Sequence, residues 1–95
     1  MDGKIYLITN LVNGKQYVGL TIGDINCRFY QHINDAVSYR ENTDLARDIR
    51  TYGKESFSVS VLRSGISSHL ELKRIESYYI AMRGTLVPRG YNIMP

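Results

Sequence analysis

Apolar and polar positions along the chain change period several times, and each change marks the edge of an element. Lys4–Thr9 is dominated by β-branched and aromatic residues and predicts a strand. Asn13-Gly14 follows, a dipeptide that tolerates the positive φ angles of a two-residue hairpin loop. Lys15–Leu20 is the predicted return strand. With Asn13 and Gly14 alone in the loop, Val12 faces Lys15. Strand alternation then puts Ile5, Leu7 and Val18 on one face and Tyr6 and Tyr17 on the other.

Beyond the hairpin the period lengthens. Asp24 is a natural N-cap for a helix running to about Ser38. Ile25, Phe29, Ile33, Ala36 and Val37 form its apolar stripe, and Arg28 and His32, four apart, share a neighbouring face. Thr43 or Asp44 opens a second helix through Leu45 and Ile49, which Gly53 closes. Phe57–Val61 alternates apolar and polar, as a half-buried strand does. Ser68 with Glu71 resembles a capping box, and the helix it starts runs from about His69 to Arg83, where Gly84 stops it. Gly90–Ile93 reads as a short extended piece. The order strand, strand, helix, helix, strand, helix predicts an α/β (α+β) fold: a small three-stranded, mainly antiparallel sheet flanked by about three helices, in a single domain over residues 1–95.

Composition narrows the setting. No apolar run approaches the ~18 residues of a membrane span, and the first ten residues lack a signal peptide's apolar region, so a soluble protein without a membrane partner is expected. Cys27 is the sole cysteine; it can form no internal disulfide, which favours an intracellular, reducing setting, and a small, partly buried helix position suits it. The formal charge is +3, with eight of twelve cations being arginine, whose fork grips phosphate in two places. This hints at a polyanion partner without demonstrating one.

A few residues carry candidate chemistry. Glu76 sits at the edge of an apolar stripe, with Leu72 one turn before it and Tyr79 and Ile80 one turn after. A carboxylate there needs a partner, because unpaired burial costs several kcal/mol. The partner is either a cation such as Arg28 or Arg83, or a divalent metal of the hard, oxygen-seeking kind. Tyr6 and Tyr17 are either packing residues or a pair of hydroxyls aimed into a cleft. Arg28 and His32 are either a solvated helix face or a phosphate clamp beside a proton-carrying imidazole. His69, at a helix start, reads as surface.

Taken in order, these pieces resemble the catalytic domain of the GIY-YIG nuclease superfamily. The first signature stands as Lys4-Ile5-Tyr6 and the second as Tyr17-Val18-Gly19, across a hairpin. An Arg-x-x-x-His helix follows as Arg28 and His32, then a glutamate helix around Arg74-Ile75-Glu76, then Gly90-Tyr91-Asn92. Tyr52-Gly53, before the third strand, adds to a likeness with phage and intron-encoded homing endonucleases. The chain departs from the signature in having Lys4 where the family has glycine, and Val18 in the middle of the second tripeptide.

The resemblance implies roles. Glu76 would bind one divalent metal, Mg²⁺ or Mn²⁺. Tyr6 would hydrogen-bond the attacking water and is the candidate general base. Tyr17 and Arg28 would hold and neutralise the scissile phosphate, while His32 would polarise the Tyr6 hydroxyl or relay its proton. Gly19 would permit close approach of backbone and substrate, and Asn92 would buttress the site. Strand parity puts Lys4 on the face of Tyr6, either as a phosphate contact or, preferably, in solvent.

The implied function is a metal-dependent endonuclease that hydrolyses double-stranded DNA by activated-water attack, homing-like, in the cytoplasm, with phage encoding in a bacterial host compatible with it. The alternatives are a non-catalytic nucleic-acid binding module, a repair or restriction nuclease of the same superfamily, and an unrelated small interaction domain. Homing-type relatives carry a DNA-binding region after this domain, so the chain is expected to be either a piece lacking that region or a compact nuclease. Oligomeric state is left open.

Overall fold

The computed structural model describes residues 1–95. Three strands, β1 (Gly3–Asn10), β2 (Gln16–Thr21) and β3 (Phe57–Ile66), form one antiparallel sheet in the order β2-β1-β3. Three helices complete the domain: α1 (Ile25–Val37), α2 (Asp44–Tyr52) and α3 (His69–Arg83). The expected α/β class, three-stranded sheet and three helices are all present. No helix is long and apolar enough to cross a membrane.

The hairpin differs from expectation in its loop but not in its faces. Asn10 N–H donates to the Lys15 carbonyl, so residues 11–14 form the loop, and Gly14 takes the one positive φ in it. Tyr6 pairs with Gly19 and Leu7 with Val18. This register is two residues away from the one a two-residue loop would set. A shift of two preserves every face, because strand side chains alternate with period two. Ile5, Leu7 and Val18 therefore do share one face, and Tyr6 and Tyr17 the other.

Each face takes its own helices. Ile5, Leu7 and Val18 meet Leu72 and Ile80 of α3 and Ile66 at the end of β3. Tyr6 and Ile8 meet Ile33 and Ala36 of α1, Leu45, Ala46 and Ile49 of α2, Phe57 and Tyr91. The caps hold as read: Asp24 accepts from Asn26 and Cys27 N–H, Thr43 from Ala46 N–H, and Gly84 ends α3 in the left-handed region at φ 62°. Ser68 also caps α3, but Glu71 pairs with Arg74 at 3.1 Å, so only one arm of the box is made.

Three expectations need correction. Val37 is exposed: it is the last residue of α1, where the chain turns away from the sheet. Cys27 is exposed rather than partly buried, since it lies off the stripe that Phe29 and Ile33 define. β3 runs five residues past Val61, to Ile66, with a register shift against β1 near Ile5 that breaks the simple alternation.

Leu72 is 1% exposed and joins α3 to the sheet. Leu72→Ala is expected to lower unfolding stability by about 2–5 kcal/mol, the range for emptying a leucine-sized core site. Urea denaturation measures it, and a loss well under about 1 kcal/mol would contradict this packing.

Candidate active site

The centre of the site is a buried phenol. Tyr6 stands in the middle strand, fully inaccessible to solvent, with its ring lying over Gly19 of β2. A methyl group on Gly19 would overlap the ring carbons and hydroxyl of Tyr6. The absence of a side chain at Gly19 is what lets the Tyr6 ring lie there. The ring's far end meets α1, where the Tyr6 hydroxyl and His32 Nε2 are 2.8 Å apart. Tyr17 packs its ring edgewise on His32 with centroids 5.2 Å apart. Two strands and one helix therefore bring these three rings together.

Burial sets their charge states. It pushes the Tyr6 phenol far above the ordinary tyrosine range, with the nearby Tyr17 and Glu76 adding to the effect and Arg28 opposing it. Tyr17 moves up for the same leading reason. His32 is pushed down to about 4, by burial first and the Arg28 charge second. At neutral pH the imidazole is uncharged and both phenols keep their protons. The Tyr6–His32 contact therefore joins two neutral groups, and moving the phenol proton onto the imidazole would create a buried ion pair that burial disfavours.

A cleft of about 380 Å³ opens where edge strand β2 leaves a gap between the two helical layers. Tyr17, Arg28 and His32 form one wall; Lys73, Glu76 and Ile80 of α3 form the opposite one. Arg28 spends one nitrogen on Gln31 at 3.2 Å and has no acidic partner. The Glu76 side chain is 17% exposed, and its sole ionic contact is Lys73 at 3.8 Å, a residue 74% exposed. That contact is loose and solvent-screened. Neither Arg28 nor Arg83, the partners considered from sequence, reaches it. Burial consequently pushes the Glu76 carboxyl above its usual range, and the Lys73 charge offsets only part of that. A half-buried, under-compensated carboxylate suits one hard cation. No three His, Cys, Asp or Glu converge to cage an ion, so any metal here would keep most of its waters, as Mg²⁺ does.

The C-terminal segment seals part of the β2 edge. Asn92 is buried; its amide donates to the Val18 carbonyl at 2.9 Å and accepts from Val18 N–H at 2.9 Å, as a neighbouring strand would. Thr85 Oγ1 donates to the same Asn92 oxygen at 2.8 Å. Tyr91 N–H donates to the Gln16 carbonyl. The Tyr91 hydroxyl donates to Asp48 at 2.6 Å and accepts from Asn10, and burial with the Asp48 bond pushes its pKa up to about 12. Asn92 thus buttresses the strand that carries Tyr17 and Gly19.

The comparisons with known proteins agree with this geometry. The profile of the GIY-YIG catalytic domain matches residues 2–92. The chain belongs to the GIY-YIG catalytic domain family. Two solved structures are similar to it, both at 26% identity and both covering 98% of this chain. One is the catalytic domain of homing endonuclease I-TevI, with 99% of that chain covered and a TM-score of 0.84. The other is a glutamate-to-alanine variant of the catalytic domain of intron endonuclease I-TevI, with 94% covered and a TM-score of 0.85.

Within this GIY-YIG domain the sequence-derived residues divide. Tyr17, Arg28, His32, Glu76 and Asn92 all line the cleft. Tyr6 stands behind them, against His32 and Tyr17 of the cleft wall. Lys4 is not in open solvent: its ammonium donates to the Gly23 carbonyl at 3.0 Å and pairs with Asp2 at 3.4 Å, pinning the chain before α1. Sequence reasoning passed over Glu41, Thr43, Lys73 and Tyr91, which also line the cleft. Lys73 could have been found from its i,i+3 spacing to Glu76; nothing local marked Glu41, whose loop comes to the cleft only through the docking of α1 on α2.

Two outcomes are expected. Gly19→Ala forces the Tyr6 ring off its seat, so stability should fall by about 1–3 kcal/mol, the cost of overpacking a filled site. Loss of the Tyr6–His32 contact should appear as a changed His32 ring shift in NMR, and an unchanged spectrum would contradict the seat. His32 titrates lower in the folded chain than in the unfolded one, so its contribution to stability is full above about pH 6.5 and declines as pH falls toward 4. His32→Gln should flatten that decline in pH-dependent urea titrations, whereas an identical slope in the variant would contradict it.

Proposed function

We propose that this chain is the catalytic domain of a divalent-metal-dependent DNA endonuclease that hydrolyses a phosphodiester bond by attack of water. One observation carries the reading: a half-buried Glu76 carboxylate without an effective partner faces Tyr17, Arg28 and His32 across a single cleft. An anion binder alone has no use for a carboxylate opposite its arginine. A phosphate bridged by a cation uses both.

A divalent ion on Glu76, Mg²⁺ or Mn²⁺, would supply charge stabilisation at the phosphoryl group. The protein's own groups do the rest. Arg28, free of any acid, grips the non-bridging oxygens of the scissile phosphate. The Tyr17 hydroxyl, on the same wall, donates a further hydrogen bond and fixes the phosphate. His32 is in its basic form at neutral pH and stands between the cleft and Tyr6. The neutral His32 imidazole takes up the proton of the attacking water, and the Tyr6 hydroxyl, 2.8 Å from Nε2, orients the ring and accepts a hydrogen bond from the imidazolium that forms. Burial, with Tyr17 and Glu76 adding to it, keeps the Tyr6 phenol protonated, so it does not serve as a base by itself; a cation held by Glu76 would offset that carboxylate's share of the effect.

A homing-type role, with double-stranded DNA as its substrate, is the reading favoured by similarity to the catalytic domain of a homing and intron endonuclease. An intracellular setting fits the single exposed cysteine.

Supercoiled plasmid tests the proposal. Nicking is expected with Mg²⁺ or Mn²⁺, and none with chelator or with Glu76→Ala. His32→Gln should slow cutting by roughly 10²–10⁴, the usual worth of a placed proton acceptor. Cutting that persists with chelator sinks the metal reading. DNA binding with no cutting under any divalent ion supports a non-catalytic module instead.

A further inference from the structure

A second polar hollow, of about 200 Å³, adjoins the cleft from the other side of the C-terminal segment. No hydrophobic residue lines it. Its walls are Gly14 and Gln16 of the hairpin, Arg83 and Gly84 at the end of α3, and Thr85, Arg89 and Gly90. We propose that Arg83 and Arg89 form a second phosphate clamp, which holds a backbone phosphate of the DNA next to the one in the cleft; this rests on the endonuclease reading above.

Charge accounting singles out this pair. The chain has eight arginines. Arg47 and Arg74 pair with acids on their own helices, and Arg50 binds the carbonyls of Ala36 and Glu41 and the Asn42 side chain. Arg28 belongs to the cleft. Of the remaining four, Arg40, Arg63, Arg83 and Arg89, none has a carboxylate within ion-pair distance. Only Arg83 and Arg89 converge on one hollow.

Other donors there are already engaged. Gly14, Gly84 and Gly90 N–H groups donate to Asn10, Ala81 and Leu86 carbonyls, Thr85 Oγ1 to Asn92, and Gln16 Nε2 to Thr9. The two guanidinium groups are thus the hollow's free donors, and no acid there competes for them. Gly14 has open space beside it, the Arg89 guanidinium lies against Gly84, and Gly90 lets the C-terminal segment pack closely on the Gln16 carbonyl.

Position selects the ligand. Gln16 and Gly90 line the hollow, while their chain neighbours Tyr17 and Tyr91 line the cleft. The cleft and the hollow thus meet along the Gln16–Tyr17 and Gly90–Tyr91 pairs. DNA repeats its phosphates along one continuous strand, so a single strand can occupy both. Such a contact holds the backbone without reading sequence.

The test uses the full chain with the double variant Arg83→Gln/Arg89→Gln and, as a charge-matched control, Arg40→Gln/Arg63→Gln. Binding of a fluorescent duplex is followed by anisotropy with Ca²⁺ across a salt series. Cutting is followed separately with Mg²⁺. Loss of one phosphate contact should reduce the slope of log affinity against log salt by about 0.9, and the control should leave it unchanged. For cutting, KM should rise with kcat at saturating DNA unchanged. Equal behaviour of both double variants overturns the clamp, while Glu76-dependent cutting by the parent chain keeps the endonuclease reading standing. A kcat loss without a change in salt slope also overturns it, as does a melting temperature that falls in step with the binding loss. If the parent chain neither binds nor cuts DNA, both proposals fall together.

Discussion

The pairing of Tyr6 with Gly19 is the constraint on which the rest of this domain turns. A tyrosine ring in the central strand occupies the space that a side chain on the neighbouring strand would fill. Its hydroxyl thereby reaches His32, and α1 can dock only where that polar contact is made. Ile33 and Ala36 pack on the same face immediately beyond it. A buried hydroxyl without a partner costs about 1–3 kcal/mol, so the contact selects one placement of the helix among those that apolar packing alone would permit. Core and candidate site are the same object here: the residue that fixes the helix also touches His32 of the cleft wall.

The cleft that results holds its groups away from their preferred states. Burial favours the neutral form of Tyr6, Tyr17, His32 and Glu76 alike. The Arg28 guanidinium stands among them. Under the proposed function, a phosphate carrying a cation would relieve these groups on both walls, and the binding energy of substrate would be used at the reacting centre, where it raises the rate. A hard ion held by Glu76 would take its other ligands from phosphate and water.

Edge strand β2 supplies the third element. An open strand edge exposes unpaired N–H and C=O groups. The Asn92 amide satisfies both groups of Val18, and the Tyr91 N–H takes the Gln16 carbonyl. Tyr17 of this strand and Tyr91 and Asn92 of the hook all line the cleft. The same hook lies between two hollows, one holding Arg28 and the other Arg83 and Arg89.

Much of this was written in the local pattern. The helix caps at Asp24, Thr43, Ser68 and Gly84, the stripes of α1 to α3, and the faces of the hairpin follow from short-range rules, since caps and periodicities involve neighbours in the chain. The faces survived even a misjudged loop, because a two-residue slip preserves strand parity. The order of the motifs also marked Tyr17, Arg28, His32, Glu76 and Asn92, which do gather at one cleft. What no local rule contained was the depth of each group. That Tyr6 is sealed behind His32, that Lys4 is tied to Gly23, that Lys73 rather than Arg83 meets Glu76, and that Glu41 and Tyr91 join the wall were decided by how distant segments pack. Burial and proton affinity depend on what the rest of the chain lays against a residue, so the sequence named the chemical groups and the tertiary structure set their charge, reach and access.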